Sequence, residues 1–356
     1  MSDRGERVVD GVDLEHHGDA DAAEGLVDLA VNVRPGGPPP WLHQALVDAL
    51  SDVGRYPDST AATAAVAAGY GRPAEQVLLT SGAAEAFVLL ARALAPRRAV
   101  VVHPQFTEPE RALRAAGHPV VRHQLDPGDG FALHPERVDP DADLVVVGNP
   151  TNPTGVLHPA AALRALARPG RTLVVDEAFM DAVPGEPATL AGARDLPGLV
   201  VVRSLTKTWA LAGLRVGYLL AAPDLLARCR AAQPRWAVST PALAAALACS
   251  RPCARAEAAA RAERLAVLRE ELRGQLHRRG LKSVPGSQAP FLLVHDPAGR
   301  ALVPALRAAG VAVRPADSFP GLDRTWFRTA VRDDGAHEAL TTALDQVLAT
   351  HPGRFA

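Results

Sequence analysis

The chain has 356 residues, 48% hydrophobic and 22% charged, enough to bury the core of one large domain or two coupled ones. Its net charge of -1 leaves no basic field to attract nucleic acid or an anionic membrane, and no apolar run is long enough to span a bilayer. Cys229, Cys249 and Cys253 are spaced for neither a disulfide framework nor a zinc site, and the first 25 residues are polar and acidic without an apolar signal core. The expectation is a cytoplasmic protein with no metal.

In chain order, Pro35-Gly36-Gly37-Pro38-Pro39-Pro40 marks a rigid loop between an N-terminal arm and a first helix. The Ala-rich stretches 61–68 and 242–248 read as helices with small packing residues. Apolar runs over 77–80, 99–102, 143–147, 172–175, 199–202 and 216–220 read as strands. Helical patterns lie between many of them, including 83–94 and 159–167. Short β-branched runs alternating with helices predict an α/β fold with a mostly parallel central sheet covered on both faces.

The segment 255–279 changes character. Leu265, Leu268, Leu272 and Leu276 recur at helical spacing among Arg and Glu, which predicts a long amphipathic helix. A strand at 291–294, a helix at 302–309, strands at 311–314 and 325–331 and a closing helix at 335–348 follow as a compact α+β unit. The expected organisation is an arm over 1–40 packing with the small unit, a large domain over 41–250, and a linking helix with a small C-terminal α+β domain over 251–356.

Only two of the 38 basic residues are lysines, Lys207 and Lys282. Lysine can lose its proton and attack a carbonyl, whereas arginine cannot, so Lys207 is the first candidate for imine chemistry. Four other segments share its character. Thr80-Ser81-Gly82-Ala83-Ala84-Glu85 follows a strand and opens a helix, where small residues let backbone N–H groups approach a phosphate; alone it is more often a plain strand-to-helix turn. Phe106, just past another strand, can stack on a flat ring or serve as core. Gly148-Asn149-Pro150-Thr151-Asn152-Pro153-Thr154-Gly155 pins a turn and offers the Asn152 amide. Asp176 ends a buried strand, which is costly unless a cation or donors meet it. Around Lys207, Ser204, Thr206 and Arg215 can complete a phosphate cup.

Taken in order, Asn-Pro-x-Asn-Pro-Thr-Gly, Asp-Glu-Ala and Thr-Lys…Ala-Gly-Leu-Arg resemble fold-type I pyridoxal-phosphate enzymes, in the branch holding histidinol-phosphate aminotransferase and threonine-phosphate decarboxylase. The resemblance covers nearly the whole chain and makes 41–250 the pyridoxal-phosphate-binding domain. It implies that Lys207 forms the imine with the cofactor and later carries a proton. Asp176 would keep the ring nitrogen protonated, Asn152 would donate to the phenolic oxygen, and Phe106 would stack. Gly82, Ala83, Ser204, Thr206 and Arg215 match phosphate-binding positions. Tyr56 resembles a tyrosine that reaches a phosphate across a dimer interface, so a homodimer is implied. Phe179 stands where many of these aminotransferases have Tyr, which shifts the tuning of the phenolic oxygen onto Asn152.

For the substrate, the resemblance makes Arg328 the grip on a carboxylate and Arg314 a second anion contact, for substrate phosphate; Arg332 is a weaker candidate. His16-His17-Gly18-Asp19 is similar to a His-Gly-Gly-Asp/Asn motif of the decarboxylases, with His17 where Gly is usual. Asn32 follows in a segment similar to Ser-x-Asn-Ile-Asn-Pro, and His16 and Asn32 are expected at the phosphate end. The leading expectation is decarboxylation of threonine O-3-phosphate to an aminopropanol phosphate for cobalamin synthesis. The alternative is an aminotransferase using histidinol phosphate or an aromatic amino acid with 2-oxoglutarate.

Overall fold

A computed structural model describes residues 8–9 and 12–350. The outermost parts of the expected arm and of the expected C-terminal unit lie outside those residues.

A seven-stranded sheet organises the larger part of the chain. Its spatial order is Val77–Thr80, Gly217–Ala221, Leu199–Ser204, Thr172–Asp176, Leu144–Gly148, Ala99–His103 and Val120–Gln124. Only Gly217–Ala221 runs antiparallel to its neighbours. Side chains alternate between the two faces of a strand, and here both faces are apolar. Val100, Val102, Val145, Val147, Val175 and Val201 enter one core, with Leu42, Val66 and Leu243 from the helices Pro40–Ala49, Thr60–Gly69 and Thr240–Cys249. Val101, Val146, Val174 and Val200 enter the other, with Phe87, Leu113 and Leu226 from Gly82–Ala93, Glu108–Ala115 and Pro223–Ala232. Coverage on both faces explains why most of these strands read as continuous apolar runs.

The edge strand Val120–Gln124 is the exception. Its residues are half-buried or exposed, and its Val-Val-Arg-His-Gln sequence carries no buried-strand signal.

A four-stranded antiparallel sheet, ordered Lys282–Ser283, Phe291–His295, Trp326–Ala330 and Arg314–Pro315, forms beside the long helix Pro252–His277. Leu265, Leu272 and Leu276 of that helix share a core with Leu292, Val294, Phe327, Leu340 and Leu344. The single strand expected over 311–314 is split. Val311–Ala312 pairs in parallel with the arm strand Val27–Asp28, whereas Arg314–Pro315 joins the edge of the four-stranded sheet. Pro315 has no N–H to donate, so an edge position suits it. The arm then continues past the small sheet, where Leu29 accepts from Ala330 N, to the Lys207 loop, where Arg34 N–H donates to Lys207 O at 3.0 Å. That path carries residues 16–34 across the mouth of the cleft between the two sheets.

Candidate active site

A cavity of about 550 Å³ opens where the ends of the large sheet's strands meet the arm and the small sheet. Asp176, Ser204, Thr206 and Lys207 reach it from two adjacent strand ends, Asn152 from the loop after a third, and Phe106 from the loop after a fourth. Ala83 and Ala84 bring the N-terminus of Gly82–Ala93, whose first N–H groups have no partner within the helix. Arg314 and Arg328 close it from the small sheet, and His16 and Asn32 from the arm.

Gly82 stands behind this wall at φ +78, and a Cβ there would lie 2.8 Å from Arg215 Nη2. Arg215 itself is held at φ +59, with Nη1 donating to Ala212 O at 3.0 Å. Thr206 N–H donates to Ser204 Oγ at 3.2 Å. Backbone donors, two hydroxyls and a guanidinium thus converge on one end of the cavity.

Asp176 is 9% exposed and accepts from Ala178 N–H at 3.0 Å. Burial raises its pKa to about 6, against the opposing pull of that bond. Lys207 is pushed the other way, down to about 8, by its enclosure and then by Arg328 and Arg215. Its Nζ lies 5.9 Å from the centre of the Phe179 ring, which packs edge-on against Phe291.

Arg328 is 5% exposed and already engaged: Nη1 donates to Asn152 Oδ1 and Nη2 to Ala30 O, each at 2.5 Å. With its amide oxygen turned toward the guanidinium, Asn32 accepts from Arg328 Nε at 3.0 Å and Nη1 at 3.1 Å. Burial, then the neighbouring Arg314, lowers the Arg328 pKa to about 9. Arg314 Nη2 donates to Ser318 Oγ at 2.6 Å and His16 O at 2.7 Å, and Nη1 to Asp21 Oδ2 at 3.4 Å. His16 Nε2 lies 3.1 Å from Asp21 Oδ2.

Besides Gly82, two expected residues are not in this wall. Tyr56 is 76% exposed and stacks on Trp236 at 4.1 Å, away from its own chain's cavity. Arg332 donates to the Val31 carbonyl instead of facing the cavity. Conversely, sequence reasoning did not place His17, Glu108 and Arg111, which line the cavity beside Phe106. Glu108 was findable, since it follows Phe106 by two residues in the first turn of a helix.

A second cavity of about 400 Å³ shares Ser204, with Arg203, Tyr70 and Tyr218 among its walls. Among the described residues, no group of three or more His, Cys, Asp or Glu side chains could hold a metal ion, and no helix is long and apolar enough to cross a membrane.

The first cavity fits pyridoxal phosphate. A buried carboxylate in no close ion pair among the described residues matches a protonated ring nitrogen, an amine with a lowered pKa matches an aldehyde, and the donor cluster matches a phosphate.

The family model for aminotransferase class I and II matches residues 24–347, and the chain belongs to that family. It is a pyridoxal-phosphate enzyme of fold type I. A Mycobacterium tuberculosis protein named histidinol-phosphate aminotransferase is 49% identical over 322 residues, 90% of this chain and 87% of that one. The threonine-phosphate decarboxylase of Salmonella typhimurium is 34% identical over 337 residues, 91% of each chain. Among solved structures, L-threonine-O-3-phosphate decarboxylase from Porphyromonas gingivalis superposes with a TM-score of 0.80 at 25% identity, covering 90% of this chain and 99% of that one.

Proposed function

We propose that the protein is an aminotransferase that takes its amino group from a small phosphorylated amine of the histidinol phosphate kind and passes it to a keto acid such as 2-oxoglutarate. The observation that carries this reading is the 49% identity, over 90% of the chain, with the mycobacterial protein of that name. The balance of relatives favours amino transfer over the decarboxylation expected from the sequence, because the decarboxylase relative is more distant, at 34%.

Bound pyridoxal phosphate supplies an aldehyde and an electron-withdrawing ring. Lys207, an amine with its pKa lowered to about 8, would hold the cofactor aldehyde and, when free, would move the proton at the substrate α-carbon. Asp176 keeps a proton on the ring nitrogen. Asn152, its oxygen taken by Arg328, has its amide N–H free of that bond and would donate it to the phenolic oxygen. Phe106 stacks on the ring. Gly82, Ala83, Ser204, Thr206 and Arg215 hold the cofactor phosphate, joined by Tyr56 of a second copy in a homodimer. Arg328 orients the keto-acid carboxylate, and Arg314, His16 and Asn32 orient the substrate phosphate. The chain divides in this reading into an arm over 1–40, a cofactor-binding domain over 41–250 and a linking helix with a small domain over 251–356.

Decarboxylation of threonine O-3-phosphate is the second reading. His16 beside Arg314 in the cavity favours it, since the arm motif is similar to that of the decarboxylases. One assay separates the two. Histidinol phosphate with 2-oxoglutarate yields glutamate if the protein transfers amino groups. Release of CO2 from O-phospho-threonine without any keto acid, and no glutamate, overturns that reading in favour of the second.

A further inference from the structure

His17 and Glu108 have no part in the mechanism above, yet both face the cavity. The His17 ring centroid lies 5.5 Å from that of Phe106, and its Nε2 lies 3.3 Å from Glu108 Oε1. Arg111, one turn along the same helix, grips Glu108 with Nε to Oε1 at 2.7 Å and Nη2 to Oε2 at 3.0 Å. Glu108 is 6% exposed. Burial pushes its pKa up, but the bonds from His17 and Arg111 outweigh burial and hold it at about 2.

An ionised carboxylate can only accept hydrogen bonds, so His17 Nε2 carries a proton and Nδ1 is left for a ligand. His16 has the same arrangement on the small-sheet side, with Asp21 in the place of Glu108. Two imidazoles, each backed by a carboxylate, therefore face one cavity that also holds Arg314 and Arg328. An imidazolium whose Nε2–H is held by a carboxylate presents its Nδ1–H to an anion. Arg111 pairs with Glu108, so the carboxylate is already matched by a cation on this side of the cavity.

We infer that His17 is a specificity-determining contact for the substrate phosphate, held in place by Glu108 and Arg111 as positioning residues. The inference rests on the substrate being a phosphate monoester of a small amine, which both readings of the reaction share. A glycine at this position would leave the wall beside Phe106 without an imidazole donor.

The test is calorimetric titration of the cofactor-loaded enzyme with phosphoethanolamine and with ethanolamine, in wild type, His17→Gly, His17→Gln and Glu108→Gln. The cofactor absorbance band checks that each variant is folded and loaded. His17→Gly weakens phosphoethanolamine about tenfold to a hundredfold, as expected for one hydrogen bond to a charged group, and leaves ethanolamine unchanged. His17→Gln, which keeps a donor, recovers part of the loss, and Glu108→Gln falls between. In turnover the loss appears in KM for the phosphorylated amine. If wild type and His17→Gly discriminate the two amines equally well, the assignment of His17 is wrong. If wild type does not discriminate them at all, the phosphorylated-substrate reading fails and takes the assignment with it.

Discussion

Arg314 and Arg328 are register partners, directly opposite each other on adjacent antiparallel strands, and both are buried. Like charges in that relation repel: burial first, and then Arg314, lowers the hold of Arg328 on its proton, whereas burial lowers that of Arg314. Asp21 offsets part of the charge from the arm side. A pair kept under this strain is a ready anion site, and an anion that binds it stabilises the fold by mass action. Inorganic phosphate should therefore raise the unfolding temperature of the wild-type protein in a concentration-dependent way. Arg314→Gln should lose most of that response and raise KM for the phosphorylated substrate by about tenfold or more. An undiminished phosphate response in the variant would show that Arg314 binds no phosphate.

Arg328→Lys tests a different property of the pair. The guanidinium reaches Asn152, Ala30 and Asn32 at once. An ammonium is a point donor and cannot reproduce that fork. The expected result is a rise in KM for the keto acid of at least about tenfold, together with a shifted cofactor absorbance as Asn152 loses its anchor. Steady-state kinetics with 2-oxoglutarate and a spectrum of the resting enzyme read both. A variant with wild-type KM would remove Arg328 from substrate binding.

Gly82→Ala is predicted to harm cofactor binding more than folding. The backbone at φ +78 disfavours any side chain, and the new methyl would meet Arg215 Nη2 at 2.8 Å. Arg215 is exposed and can swing away, so the chain would accommodate the change at the cost of the phosphate contact proposed for Arg215. Equilibrium dialysis should show pyridoxal phosphate bound about tenfold or more weakly, in keeping with the loss of a charge-assisted bond. Tight binding with a large loss of stability would be the contrary outcome.

The lowered pKa of Lys207 has a kinetic consequence. A lysine at about 8 is mostly protonated at neutral pH and mostly neutral one unit above its pKa. Only the neutral amine attacks an aldehyde. Uptake of pyridoxal phosphate by the cofactor-free protein should therefore accelerate by roughly tenfold between about pH 7 and pH 9 and then level off. A rate that keeps climbing toward pH 10.5, the ordinary lysine value, would mean that the site does not perturb Lys207.

How much of this was legible in the sequence depended on how local the signal was. Strands such as Leu144–Gly148, buried on both faces, announce themselves as apolar runs. The edge strand Val120–Gln124, half in water, does not. Phe106, Asn152, Asp176 and Lys207 were proposed from short motifs just at or past strand ends, and the fold gathers them round one cavity. The pairing of His17 with Glu108 was not legible, because it spans 91 residues and exists only once the arm folds over the helix Glu108–Ala115. The register that sets Arg314 against Arg328 is likewise a property of strand pairing, which no single stretch of sequence encodes.

His158 offers a test of the loop that presents Asn152. It is 1% exposed, and its backbone exchanges hydrogen bonds with the Asn149 side chain. Thr151 Oγ donates to Gly148 O at 2.6 Å, so at the 3.2 Å contact with His158 it is the imidazole Nε2–H that donates. Burial alone lowers the His158 pKa from 6.5 to about 4. The unfolded chain therefore binds a proton that the folded chain refuses. Stability from the neutral ring is complete above pH 6.5 and is lost as the pH falls through about 4, a change of about 3 kcal/mol. Gln has no such titration, and it can keep the donor to Thr151. Urea unfolding of wild type and His158→Gln across this range should show the wild-type advantage shrinking by about that amount toward acid. A difference independent of pH would mean that the ring is not held neutral, and that the Asn149–His158 turn is more open to water than its burial indicates.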